Sequence, residues 1–192
     1  MFDEVRYWLV TDIHKNHLNI LKYCNRPPNF MDILIKNWCM LIKPTDVVID
    51  LGDVIFHNSS ELTGFLMSVP GTKILVRGNH DKHNSDSWFI NHGFSFVCDQ
   101  LVTGDTLITH KPVVVPDNIR LNLHGHMHNV PPANWEKPLV DILCDKHRLL
   151  SLEKVNYRPV LLRECQSEKH VIRTKAFYET QGKQGTSVFV KE

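Results

Sequence analysis

Two periodicities, one helical and one of strand type, alternate along this chain. Residues 4–11 (EVRYWLVT) combine β-branched and aromatic side chains and stop at Asp12, which predicts a first strand. Helical spacing follows in NHLNILKYC (16–24) and FMDILIKNWCMLI (30–42). Arg26-Pro27-Pro28-Asn29 separates the two, and Lys43-Pro44 stops the second. DVVIDLGD (46–53) is a nearly continuous apolar run, the pattern of a strand covered on both faces, and KILVRGNHD (73–81) repeats it with a glycine-containing turn. Between them, SSELTGFLMSV (59–69) predicts a helix with Ser59 or Ser60 near its N-cap. SDSWFINHG (85–93) predicts a short helix closed by Gly93, and FSFVC (94–98) and TLITH (106–110) predict strands. In IRLNLHGH (119–126), Ile119, Leu121 and Leu123 alternate with polar residues, the pattern of a strand with one buried face. The order β-α-α-β-α-β-α-β-β-β implies an α/β sandwich with a mixed sheet and its loops at strand ends. From residue 166 onward apolar density falls, so the expected organisation is one domain over 1–165 and an appendage or mobile tail over 166–192.

A chain of 192 residues is long enough for one well-buried domain. The formal net charge of +1 and the ordinary apolar content exclude a disordered chain and argue against a dedicated duplex-DNA binder. Cys24, Cys39, Cys98, Cys144 and Cys165 are widely spaced and form no C-x-x-C pair, which points to reduced thiols rather than a disulfide framework. The acidic start Met1-Phe2-Asp3-Glu4 is no signal peptide, and no apolar run approaches the ~20 residues that span a bilayer. The expectation is a cytoplasmic protein with no membrane partner. Histidine is the outlier at twelve copies, several of them beside aspartate.

Five strings carry the candidate chemistry: Asp12-Ile13-His14, Gly52-Asp53, Gly78-Asn79-His80-Asp81, His110, and Gly125-His126-Met127-His128. Each falls where a predicted strand gives way to a turn, and loops beyond strand ends are where α/β sheets collect ligands. The i, i+2 spacing puts Asp12 with His14, and His126 with His128, on one side of an extended chain. With Asp53, Asn79 and His110 these make seven oxygen or nitrogen donors. One tetrahedral ion takes about four, so the set suggests two metals sharing a carboxylate.

The ordered strings D-x-H, G-D, G-N-H-D, H and G-H-x-H resemble the pattern of the calcineurin-like metallophosphoesterase superfamily. TDIHKNH, ILVRGNHDK, ITHKP and HGHMH look like its compact, single-domain members in bacteria and phages, and VNYRPVLLREC (155–165) looks like the end of such a domain. The resemblance implies a four-layer αββα sandwich with a dinuclear site at the sheet edge. It implies one metal held by Asp12, His14, Asp53 and His128, and a second held by Asp53, Asn79, His110 and His126, with Asp53 bridging. Two divalent cations against two carboxylates leave surplus positive charge, which attracts a phosphoryl group and acidifies a bridging water into the nucleophile. His80 is implied as the general acid or charge-stabilising donor at the leaving oxygen. Gly78 is expected to supply a backbone angle that a Cβ disfavours, and Asp81 and Arg77 to be structural. His17, His57 and His124, together with Asn79, are candidates for substrate contact; each of the three histidines could equally orient a ligand.

The Ser/Thr phosphatases of the superfamily carry G-D-x-x-D-R-G, where this chain has Phe56 and His57 in place of the second Asp and the Arg. That departure disfavours a phosphoprotein substrate and leaves His80 without its carboxylate partner. With few arginines near the motifs, a monoanionic diester fits better than a dianionic monoester. The expected activity is therefore a phosphodiesterase on a small or terminal nucleotide, an RNA end or a 2′,3′-cyclic phosphate included. A phosphomonoesterase and a non-catalytic metal-binding scaffold are the alternatives. Mixed oxygen and imidazole ligands accept Mn²⁺, Fe, Ni²⁺ or Zn²⁺, with Mn²⁺ the expected ion. A phage-encoded member would act in the host cytoplasm.

Overall fold

The computed structural model describes residues 4–56 and 61–181; the Ser59 and Ser60 capping assignment and His57 lie outside the described residues. In chain order the elements begin with β1 (Tyr7–Val10), α1 (Ile20–Tyr23), α2 (Phe30–Leu41), β2 (Val47–Asp50), α3 (Glu61–Ser68), β3 (Thr72–Val76), α4 (Asp86–Asn91) and β4 (Phe96–Cys98). There follow β5 (Gln100–Thr103), β6 (Thr106–Thr109), β7 (Leu121–His124), α5 (Lys137–Asp141), β8 (His147–Leu149), β9 (Val160–Leu161), α6 (Leu162–Gln166), β10 (Ile172–Arg173) and α7 (Thr174–Gln181).

The strands form two five-stranded mixed sheets, β4-β3-β2-β1-β9 and β10-β8-β7-β6-β5. β1 to β4 run parallel and β9 is antiparallel to β1. In the other sheet β6, β7 and β8 are parallel, flanked by antiparallel β5 and β10. Both sheets contribute to one apolar core, which takes Leu9, Ile49 and Leu75 from the first and Ile108 and Leu123 from the second. The parallel strands β6, β7 and β8 are buried on both faces, whereas β4, at the edge of the first sheet, exposes Phe96.

The helices cover this core through regular apolar spacing. In α2, Phe30, Leu34 and Trp38 recur every fourth residue and are buried, and the Trp38 indole N–H donates to the Pro70 carbonyl at 2.9 Å. At the start of α4, Ser85 Oγ accepts from the Trp88 N–H at 3.1 Å, a side-chain N-cap. No helix among the described residues is long and apolar enough to cross a membrane.

Three expectations are corrected. The 16–24 helix shrinks to the single turn α1, because Asn16 stands at φ 68°, where a helix cannot start. β7 is buried at all four positions, because Asn122 satisfies its amide inside the sheet on Leu107 O at 3.1 Å and Thr109 Oγ1 at 2.9 Å. Of the supposed tail from 166, the described part adds β10 to the second sheet and packs α7 on β8, with Thr174 fully buried. α6 runs across the 165/166 boundary.

Candidate metal centre

Parallel strands carry their C-terminal ends to the same edge of a sheet, and that edge holds every string singled out above. Asp12 and His14 follow β1, Asp53 follows β2, Asn79 and His80 follow β3, His110 follows β6, and His126 and His128 follow β7. Five of these residues have left-handed backbone: Asp12 (φ 52°), His14 (51°), Asp53 (56°), His126 (68°) and His128 (47°). Side chains other than glycine adopt that region at a cost of about 1–3 kcal/mol each. The members of each i, i+2 pair therefore converge through left-handed turns, where an extended chain was expected.

Around the first group, His14 Nε2 and His128 Nε2 stand 3.2 Å apart, with Asp12 Oδ1 at 3.5 Å from His128 Nε2 and 3.9 Å from His14 Nε2. His128 Nδ1 donates to Glu153 Oε1 at 3.2 Å, so in the neutral ring Nε2 carries the lone pair. Arg26, buried among these groups, donates to the Asp12 carbonyl at 2.7 Å and the Ile13 carbonyl at 3.0 Å, and ion-pairs with Glu153 at 2.7 Å. Thr11 Oγ1 donates to Asp12 Oδ2 at 2.6 Å, and the His126 N–H is shared between Oδ2 at 3.0 Å and Oδ1 at 3.2 Å, which fixes the carboxylate beside the imidazoles.

Around the second group, His110 Nδ1 donates to the Leu51 carbonyl at 2.8 Å. Its Nε2 then faces Asn79 Oδ1 at 3.1 Å, His126 Nδ1 at 3.2 Å and Asp53 Oδ2 at 3.3 Å. His126 donates from Nε2 to Glu136 Oε1 at 3.2 Å, so its Nδ1 also presents a lone pair. Two lone pairs 3.2 Å apart repel unless a cation or proton lies between them.

Asp53 links the groups through one oxygen. Oδ2 is 3.6 Å from His14 Nε2 and 3.3 Å from His110 Nε2, whereas Oδ1 accepts the His80 N–H at 2.8 Å. Asp81 braces this loop: its carboxylate accepts from Asp53 N at 2.7 Å, Gly78 N at 2.8 Å and Val54 N at 3.2 Å. Gly78 proves to be constrained by space and has no positive φ; a Cβ there would collide with the Asp53 carboxylate and its N–H. Gly52 opposite it does stand at φ 97°, and its Cβ would meet Gly78.

The electrostatics divide the four imidazoles into two that are neutral and two that a cation would have to deprotonate. Burial pushes His14 down to about 3 and His126 to about 4, leaving both neutral near pH 7. Burial opposes charge at His110 and His128 as well, but Asp53 and Asp12 at the first and Asp12 with Glu153 at the second hold both above the usual histidine value. Desolvation works against the charged forms of Asp12 and Asp53, and the surrounding imidazoles outweigh it, so both stay below the usual carboxylate range. Burial and the Asp53 charge raise Asp81 to about 6.

His80 lies at the rim, its ring 5.3 Å from that of His14 and its Nε2 3.9 Å from Asp53 Oδ2. No side chain among the described residues hydrogen-bonds its imidazole. His17 is half-buried on the same side, stacked on Phe56 at 4.1 Å and 5.9 Å from the His80 ring. His124 is corrected: it is fully buried, bonded through Nδ1 to the Gly125 carbonyl and through Nε2 to Thr174 Oγ1, each at 3.0 Å. The strand ends at His124, and the left-handed turn at His126 breaks the shared face. Arg77 is structural, paired with Asp86 at 3.0 Å and Asp99 at 2.8 Å.

Sequence reasoning missed Arg26, Glu153, Glu136 and Lys111. Glu153 follows β8, the third parallel strand of its sheet, so recognition of that strand would have exposed it. Arg26 lies in a proline-flanked loop and carried no signal.

The molecule is thus an α/β protein of two mixed sheets with a His/Asp-rich centre at their common edge. No family model matches the chain. The uncharacterized protein MJ1445 of Methanocaldococcus jannaschii is 30% identical over 82% of this chain and 87% of its own length, and the chain belongs to the same family as that protein. A solved structure, that of the protein of unknown function AQ665 from Aquifex aeolicus, shares the fold with a TM-score of 0.66. It is 23% identical and the match covers 86% of this chain and 100% of that one.

Proposed function

We propose that the chain is a phosphodiesterase of the calcineurin-like metallophosphoesterase type, dependent on two divalent cations, with its two sheets and flanking helices as that four-layer sandwich. The observation that carries this reading is the pair of donor groups meeting at Asp53 Oδ2, 3.6 Å from one set of imidazoles and 3.3 Å from the other. Asp12, His14, His128 and Asp53 would hold one cation; Asp53, Asn79, His110 and His126 would hold the other. The set is mixed oxygen and imidazole, which Mn²⁺, Fe, Ni²⁺ and Zn²⁺ all accept, Mn²⁺ being the ion to test first. When bound, such a pair supplies Lewis acidity toward phosphoryl oxygens and lowers the pKa of water.

The chain's own groups do the rest. His80, tethered by its N–H to Asp53, places an imidazole at the rim, where it hydrogen-bonds a leaving oxygen and gives it a proton. His17 and Phe56 form a flat aromatic wall beside it that shields this side from water. Arg77 is engaged by two carboxylates, which favours a diester carrying one negative charge over a monoester carrying two.

The test is hydrolysis of an activated aryl phosphodiester by protein stripped with a chelator and reloaded with Mn²⁺, beside an Asp53→Asn variant. Turnover restored by the metal and absent in the variant is the expected result. Equal rates in the two proteins would reject the reading.

A further inference from the structure

A cleft of about 600 Å³ opens beside the second donor group, with Asn79 and His110 as its inner wall. Arg77, Lys82, Gln100 and Lys111 line the rest, so it contains three cationic side chains against the single carboxylate of Asp99. Their commitments differ. Arg77 is bound to Asp86 and Asp99, and Lys111 lies 3.4 Å from Glu136. Lys82 is exposed and makes no ion pair among the described residues. Among the described residues the one ring lining this cleft is His110; His17, Phe56 and Tyr23 lie on the His14 side.

We propose that this cleft takes a second phosphate of the substrate, with Lys82 as its principal contact. The inference rests on the reading of the centre as a phosphodiesterase and narrows its substrate class to diesters flanked by a further phosphate. A cavity that offers one cation with no ion pair among the described residues, and no flat apolar surface, suits an anion better than a nucleobase. Its volume exceeds what a lone phosphoryl group at the neighbouring centre needs, so a substrate with one phosphate would leave it unused. Lys111 is the secondary contact, because Glu136 must share it with the incoming anion.

The experiment is calorimetric binding of thymidine 5′-monophosphate, thymidine 3′,5′-bisphosphate and thymidine 5′-diphosphate to the full chain loaded with Mn²⁺. Wild type is expected to bind a two-phosphate nucleotide about tenfold more tightly than the monophosphate. That gap should close in Lys82→Glu and persist in Lys82→Arg; Lys82 is exposed, so the fold tolerates either change. Preference for the bisphosphate identifies a strand end as the source, and preference for the diphosphate a pyrophosphate-type substrate. Equal affinities in wild type, or a gap unchanged in Lys82→Glu, would overturn the proposal. Binding is read without turnover, so a Lys82-dependent gap in a protein that hydrolyses no aryl diester would retain the cleft assignment while rejecting the phosphodiesterase reading.

Discussion

The backbone N–H of His80 donates to Asp53 Oδ1 at 2.8 Å, while the His80 imidazole stands 3.9 Å from Asp53 Oδ2. The main chain of one residue thus fixes the carboxylate that joins the two donor groups, and its side chain is left free at the rim. His80→Ala removes only the side chain. Turnover of an aryl phosphodiester should fall about 10²–10⁴-fold, with the Mn²⁺ stoichiometry unchanged by titration. Loss of bound metal in that variant would instead make His80 a ligand.

Glu153 accepts from His128 and neutralises the buried Arg26. Glu153→Ala should weaken Mn²⁺ binding about 10–100-fold, by freeing the His128 ring to choose another tautomer. It should also cost about 3–5 kcal/mol in urea unfolding, because a guanidinium is stranded in the interior. Removing both Arg26 and Glu153 should recover part of the stability and none of the metal affinity.

Gly78→Ala places a methyl group against the Asp53 carboxylate. The expected result is a stability loss of about 1–3 kcal/mol from overpacking, together with weaker metal binding from the displaced carboxylate. A variant with wild-type Mn²⁺ affinity would show that the loop relaxes without moving Asp53.

His124 is a buried link between β7 and the start of α7. His124→Ala should lower stability by about 2–4 kcal/mol and leave turnover per folded molecule within about twofold. A selective rise in KM with stability intact would return His124 to the list of substrate contacts.

Asp46 provides the acid-side prediction. Burial disfavours its charge, but hydrogen bonds from Arg6, the Lys43 N–H and the Trp8 indole hold it down at about 2, against 3.8 for a free carboxyl. A depressed carboxyl stabilises the fold above pH 3.8, and that contribution disappears as the pH falls through about 2. Urea unfolding between pH 5 and pH 2 should therefore show wild type losing about 2 kcal/mol more than Asp46→Asn. Parallel pH profiles would rule out this contribution.

The candidate centre was legible because its donors sit in short strings at the ends of strands, and parallel strands bring such strings to one edge. Asp12, His14, Asp53, Asn79, His110, His126 and His128 stand together as the strings suggested. The grounds differed in two places: the i, i+2 pairs converge through left-handed turns, and Gly78 is required by the nearness of Asp53. β9 and β10 escaped notice because two residues carry no period, β8 because its His147-Arg148-Leu149 has a single apolar residue, and β5 because only Asp99 separates it from β4.

Local chemistry along the chain determined the α/β class, the central strands, α2 and the identity of the donor residues, since periodicity and turn residues act over a few neighbours. Only the tertiary structure decided which atoms face each other. Asp53 turns Oδ2 inward because His80 holds Oδ1, His128 and His126 present chosen nitrogens because Glu153 and Glu136 take the others, and His124 is buried because Thr174 comes to meet it. Those partners are 10 to 50 residues apart in the chain, and no local pattern encodes an approach made by folding.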